Sequence, residues 1–129
     1  MTIRDLLLSW GMVVVYVMLN SFGALSIKRT IHQIGVTDNL SSDDVMHLVA
    51  LAFGSPLLLL GLFSIGVSAC AWIVALSRME LSTAYPVAVS LNCLVVILGG
   101  LLTYGESISL NKCAGIALLF LSLILMFRE

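Results

Sequence analysis

"LSRMELSTAYPVAVSLNCLVVILGGLLTYGES", residues 76–107, contains the stretch that decides the class of this chain. No charged side chain lies between Thr83 and Tyr104. A membrane helix needs roughly 20 mainly apolar residues, so this run is long enough to be one. Ser82 or Thr83 can cap its start. Tyr85 falls where aromatic-belt residues sit. Pro86 is expected in the first turn, where its missing N–H costs little. Asn92 lies two turns beyond Tyr85 on the same face.

The surrounding composition agrees with that reading. Of 129 residues, 60% are hydrophobic and 10% charged, with a mean hydropathy of +1.14. A soluble domain carries about 25% charged residues, and one this small cannot hide so much apolar surface. Four segments qualify as spans: 6–27, 56–77, 83–104 and 109–127. "RMELS" and "GES" separate the last three, which are expected to pack as antiparallel neighbours joined by tight turns. The expected class is an all-α integral membrane protein, with residues 1–129 forming one four-helix domain.

The first connection is longer. Residues 28–55 hold a polar loop and then "DDVMHLVALAFGS". Asp43 or Asp44 can cap a short helix there. Met46, Val49, Ala50 and Phe53 recur at helical spacing. The segment reads as an interfacial helix, or as an extension of the second span broken at Ser55-Pro56. "ALS" at 24–26 would suit a signal cleavage site, but the first apolar stretch is long for a signal peptide and is expected to stay as a span. With the N-terminus inside, Arg4, Arg78 and Arg128 lie on one side, and Lys28, Arg29 and Lys112 on the other. The positive-inside rule cannot choose between orientations. Such a balance suits dual topology, a partner of opposite orientation, or insertion decided elsewhere.

Helices in lipid approach one another through small residues and a few hydrogen bonds. Gly61, Ser64, Ser68, Ala71 and Ala75 make such a face on the second span, and Gly99 and Thr103 pair on the third. Gly115 and Ser122 share a face of the fourth, for a dimer or for packing within one unit. Asn20 and Asn92 lie well inside their spans and need partners there. Tyr16, Asn20 and Gly23 share one face; Tyr85, Ala88 and Asn92 share another. If the two faces meet, the amides either bond helix to helix or form a polar track with the tyrosines. Asn20, Tyr16, Tyr85, Asn92 and Ser68 are therefore the candidate substrate-binding residues.

No acid sits inside any span. Glu106 can cap the fourth helix. Lys28 and Arg29 complement the dipole at the end of the first helix or snorkel to phosphate. Lys112, in the first turn of the fourth, opposes that helix's dipole, and contact with a phosphate would explain it. Cys70, Cys93 and Cys113 suggest no disulfide framework. His32 and His47 have no metal-ligand spacing. No nucleotide-binding or hydrolase motif is present, and a net charge of −1 offers no field for nucleic acid. Neither enzyme activity, nor cofactor, nor metal is expected.

"ALSRMELSTAYPVAVSLN", then "YGES", then "GIALLFLSLIL" resemble the last two helices of EamA-like and small multidrug resistance-like members of the drug/metabolite transporter superfamily. "AYP…SLN" and "DDVMHLVALAFGSPLLLLGL" are most similar to subunits of the 4-amino-4-deoxy-L-arabinose–phosphoundecaprenol flippase family. The resemblance covers most of the chain and is looser in the first helix and loop. It implies a multi-pass protein of the bacterial inner membrane, acting as a homodimer or as half of a heterodimer. Its substrate would be a polyprenyl-phosphate-linked sugar or a similar amphipathic lipid. Multidrug exporters of that superfamily carry a glutamate near the position of Asn20 and a tryptophan near Ala88 and Val89. Those departures weigh against proton-driven cation export. A third expectation is a non-transporting accessory subunit of a membrane glycosyltransferase.

Overall fold

The computed structural model describes residues 2–35 and 41–128; part of the expected polar loop, 36–40, lies outside the described residues. Among the described residues there are five helices: α1 (Ile3–Ile34), α2 (Ser42–Gly54), α3 (Pro56–Leu76), α4 (Leu81–Tyr104) and α5 (Leu110–Met126). Three of them, α1, α3 and α4, are long and apolar enough to cross a membrane. α5 is equally apolar in character but has 17 residues, about 26 Å at 1.5 Å per residue.

The helix ends explain where elements start and stop. α1 overshoots the expected span and stays helical through Ile34. Nothing in "KRTIHQI" breaks it, and the Thr30 hydroxyl donates to the Ser26 carbonyl at 3.0 Å. Gly35, at φ 70°, then takes the left-handed conformation that closes the helix. Ser41, not an aspartate, is the N-cap of α2. Its N–H donates to Asp44 Oδ2 at 2.9 Å, so both acids sit in the first turn, where the helix dipole favours them. Ser55 is extended (φ −93°, ψ 114°) ahead of Pro56, as the proline ring demands, so α2 and α3 are separate helices.

α4 begins two residues earlier than expected. The Glu80 carbonyl accepts from the N–H groups of Thr83 (3.1 Å) and Ala84 (2.9 Å), making Glu80 the N-cap. Pro86 therefore lies inside the helix, beyond the first turn, and the Ser82 carbonyl has no amide donor four residues on. Gly105, at φ 62°, ends α4. Ser109, rather than Glu106, caps α5, accepting from the Lys112 N–H at 3.3 Å.

The packing is inside-out by soluble-protein standards. Most buried residues are small or hydroxylated, Ser9, Ser21, Ser26, Thr30, Ser64, Ser68, Val13, Val17 and Ala75 among them. Large apolar side chains point outward: Leu102 is 87% exposed, Phe63 70% and Ile73 67%. Water would penalise such a surface heavily. Lipid does not, and small interior residues are how helices associate within it. The chain has the length, composition and packing of a membrane protein.

α1 is the central helix, and this changes the expected neighbour order. It packs broadly along α3 and, on another side, along α4, while α3 and α4 barely touch despite their tight turn. The cause is the small-residue face of α3. A Cβ placed on Gly23 would lie 2.7 Å from the Gly61 carbonyl oxygen, and one on Gly61 would lie 3.1 Å from that of Gly23. The two backbones meet there. Ser64 Oγ adds a bond to the Leu19 carbonyl at 2.8 Å. α1 and α3 run antiparallel, so Asp5 meets Arg78 at 3.3 Å at one end. α1 and α4 run parallel, with Asn20 beside Asn92 and Leu25 against Gly99. α5 has no buried residue. It rests on α4 around Cys93, Leu94 and Ile97 through Ile116, Leu119 and Phe120. Phe127, just past its end, comes 5.9 Å from the Trp10 ring.

Candidate functional site

The α1–α4 seam brings most of the expected site residues together, in three tiers. At mid-height the two amide faces do meet. Asn92 Oδ1 accepts from Asn20 Nδ2 at 3.3 Å and from Ser21 Oγ at 2.7 Å. Asn20 and Asn92 are half-buried and Ser21 is buried. One acceptor thus holds two donors across the seam. An amide offers two N–H donors and an acceptor oxygen, so Asn92 still has its N–H2 group to offer and Asn20 its carbonyl oxygen.

One end of the seam is aromatic. The Tyr16 and Trp72 ring centroids are 4.9 Å apart, and Trp72 lies 6.2 Å from Tyr85. The tyrosines are joined through α3 rather than directly. An open groove lined by Trp72, Leu81, Ser82, Tyr85 and Pro86 borders this cluster. Trp72 is the residue that face-matching on the first and third spans did not find. The available signal was a tryptophan one turn beyond Ser68, near the end of an otherwise aliphatic span.

The other end is charged. Lys28 Nζ pairs with the Glu106 carboxylate and stands 5.0 Å above the Tyr104 ring. The Tyr104 hydroxyl donates to the Leu25 carbonyl at 2.9 Å. A cleft lined by Arg29, His32, Gln33, Thr103 and Tyr104 opens beside it. Leu25, seated on Gly99, separates this tier from the amides.

Other expected residues lie elsewhere. Ser68 is buried in the α1–α3 contact, with its hydroxyl donated to the Ile65 carbonyl at 2.6 Å, on its own helix. Lys112 is exposed in the first turn of α5. Gly115 and Ser122 are exposed; a Cβ on Gly115 would meet nothing, and Ser122 Oγ donates to the Leu119 carbonyl. All three cysteines are free thiols. Among the described residues no three His, Cys, Asp or Glu side chains gather as a metal site.

Basic residues lie at both ends of the bundle. Arg78 meets Asp5 near Arg4 at one end of the bundle, with Arg128 following Phe127 there. Lys28 and Arg29 lie at the other end, beside Tyr104 and the cleft.

The chain matches no family model, no curated protein and no solved structure in comparisons with known proteins.

Proposed function

We propose that this protein flips a polyprenyl-phosphate-linked sugar, or a similar amphipathic lipid, across the bacterial inner membrane. It would cross the membrane four times, with α5 as the short fourth span. The observation that carries the reading is the tiered seam: aromatic rings, then amides, then a cation, along α1 and α4, with Trp72 of α3 completing the aromatic tier. A sugar head group leaving water needs replacement hydrogen bonds. Asn20 and Asn92 supply them at mid-height, and Tyr16, Trp72 and Tyr85 supply stacking faces below. Lys28, Arg29 and Lys112 would meet the phosphate at the membrane face, while the lipid tail stays in the bilayer. No bond in the substrate is made or broken.

In the present arrangement the seam is shut by the Asn20–Asn92 bond and by Leu25 on Gly99. Passage requires α1 and α4 to part while the Gly23–Gly61 contact keeps α1 on α3. A second subunit, identical or similar, docking on the exposed Gly115–Ser122 face of α5 would enlarge the enclosed space.

Native mass spectrometry in a neutral detergent tests substrate retention. Added undecaprenyl-phosphate-linked sugar should remain bound to the wild-type chain, and Lys112→Ala should weaken that retention several-fold. Equal retention of this lipid and of phosphatidylcholine would count against the proposal.

The aromatic cluster favours one second reading, a small exporter of organic cations, since a cation binds well over tryptophan and tyrosine faces. Proton release on adding such a cation to the detergent-solubilised protein would support the exporter. The absence of a carboxylate inside any span weighs against it.

A further inference from the structure

We propose that Glu106 is the resident counter-anion of the Lys28 site, and that an entering phosphate group binds by taking its place. The inference rests on the reading of Lys28 as a phosphate contact and adds a residue with the opposite sign.

Glu106 caps neither of the helices it joins. Gly105 already ends α4, and Ser109 already caps α5. A carboxylate close to the C-terminal end of a helix opposes the helix dipole, so local chemistry does not favour it there. Its position is nevertheless specified. The left-handed turn at Gly105 sends the side chain back along α4, onto Gly100. A Cβ at Gly100 would lie 3.0 Å from Glu106 Oε2, so glycine makes the room. From that position the carboxylate reaches across the seam to Lys28.

The pair can be exchanged. Its side chains are 48% and 39% exposed, and ion pairs so placed are weak. The ammonium is held from a second direction by the Tyr104 ring, so it stays in position when the carboxylate leaves. The neighbouring cleft, with Arg29 and His32 on its wall, gives an arriving anion a route and additional donors. A phosphate oxygen presents the same acceptor to Lys28 as a carboxylate oxygen does, with more charge. While Glu106 is in place, it also ties α1 to the α4–α5 turn. Its displacement therefore releases one of the contacts that close the α1–α4 seam, and couples head-group arrival to opening.

The test measures anion affinity of the full chain in neutral detergent, using two probes: inorganic phosphate and farnesyl phosphate. The variants are Glu106→Gln, which keeps the shape and removes the competing charge, and Lys28→Gln, which removes the cation. Thermal melting of each confirms that it is folded. Glu106→Gln is expected to bind about three- to fivefold tighter, the range that loss of a weak exposed competitor allows. Lys28→Gln is expected to lose most of the affinity. Tightening for both probes assigns the site to the phosphate group itself. Tightening for farnesyl phosphate alone assigns it to a phosphate presented by a lipid. Unchanged or weaker binding of both probes by Glu106→Gln overturns the proposal, as does undiminished binding by Lys28→Gln. Phosphate binding that responds as expected in a chain that does not move lipid would leave this exchange standing and remove the flippase reading instead.

Discussion

Gly23→Leu is expected to separate α1 from α3 and to cost more stability than loss of the Asn92 amide. Its Cβ would arrive 2.7 Å from a backbone oxygen, that of Gly61, and 2.5 Å from Ile65 Cγ1. Ile65 can rotate, but the Gly61 carbonyl cannot move without its helix. Overpacking typically costs about 1–3 kcal/mol. Here the shift also stretches the Ser64–Leu19 bond at 2.8 Å, worth about 0.6 kcal/mol in a membrane. A total of about 2–4 kcal/mol is expected. Gly11→Leu is the control, because a Cβ there meets nothing within 4 Å. Equilibrium unfolding in mixed detergent micelles should leave Gly11→Leu within about 0.5 kcal/mol of wild type. If the two variants unfold together, the glycine contact is not what joins the helices.

Asn92→Leu is expected to have the second largest effect, and on two properties at once. Its oxygen is the shared acceptor for Asn20 and Ser21. Leucine strands both donors inside an apolar bundle. At about 0.6 kcal/mol on average and about 1.7 at most for each interhelical bond in a membrane, the loss should be about 1–3 kcal/mol. Asn20→Leu should cost less, since it removes only the longer bond, at 3.3 Å, and leaves Ser21 holding Asn92 at 2.7 Å. Lipid movement should discriminate differently. If the amides receive the head group, both variants stop flipping, although only Asn92→Leu is much destabilised. Asn20→Leu with wild-type flipping would restrict the amides to a structural role.

The elements were largely legible because lipid imposes simple demands. An uncharged run from Thr83 to Tyr104 and the matching run at 56–77 become α4 and α3 with small shifts at their ends. The break at Ser55-Pro56 follows from proline's restriction of its neighbour. Helix ends were harder, because several residues could cap each. Ser41, Glu80 and Ser109 won over Asp43 or Asp44, Ser82 or Thr83, and Glu106, a choice made by backbone geometry that no composition reveals.

Helix order in the bundle was the larger miss. Tight turns make α3 and α4 neighbours in sequence, yet the glycine contact draws α3 onto α1 instead. Gly23 and Gly61 were both visible on candidate faces. What pairs them is distance across two helices, which periodicity within one helix does not contain. The same reason explains the site. The Asn20 and Asn92 faces could be matched because each carries a lone amide. Trp72 drew no reading and Glu106 was read as a cap, because each looks ordinary on its own element. They become informative only beside Tyr16 and Tyr85, or beside Lys28.

Movement of a lipid-linked head group through the seam is tested most directly by reconstitution into liposomes carrying a fluorescent polyprenyl-phosphate-linked sugar, with a membrane-impermeant quencher added outside. Should the native unit contain a second, similar subunit, the assay includes it. Protein-free vesicles lose only the outer half of the signal. With wild-type protein, the signal should fall well below half as inner-leaflet lipid is carried out, and Asn20→Leu should return the vesicles to the protein-free level. A signal that stays at half with the wild-type protein, or a loss that Asn20→Leu leaves unchanged, would contradict the account.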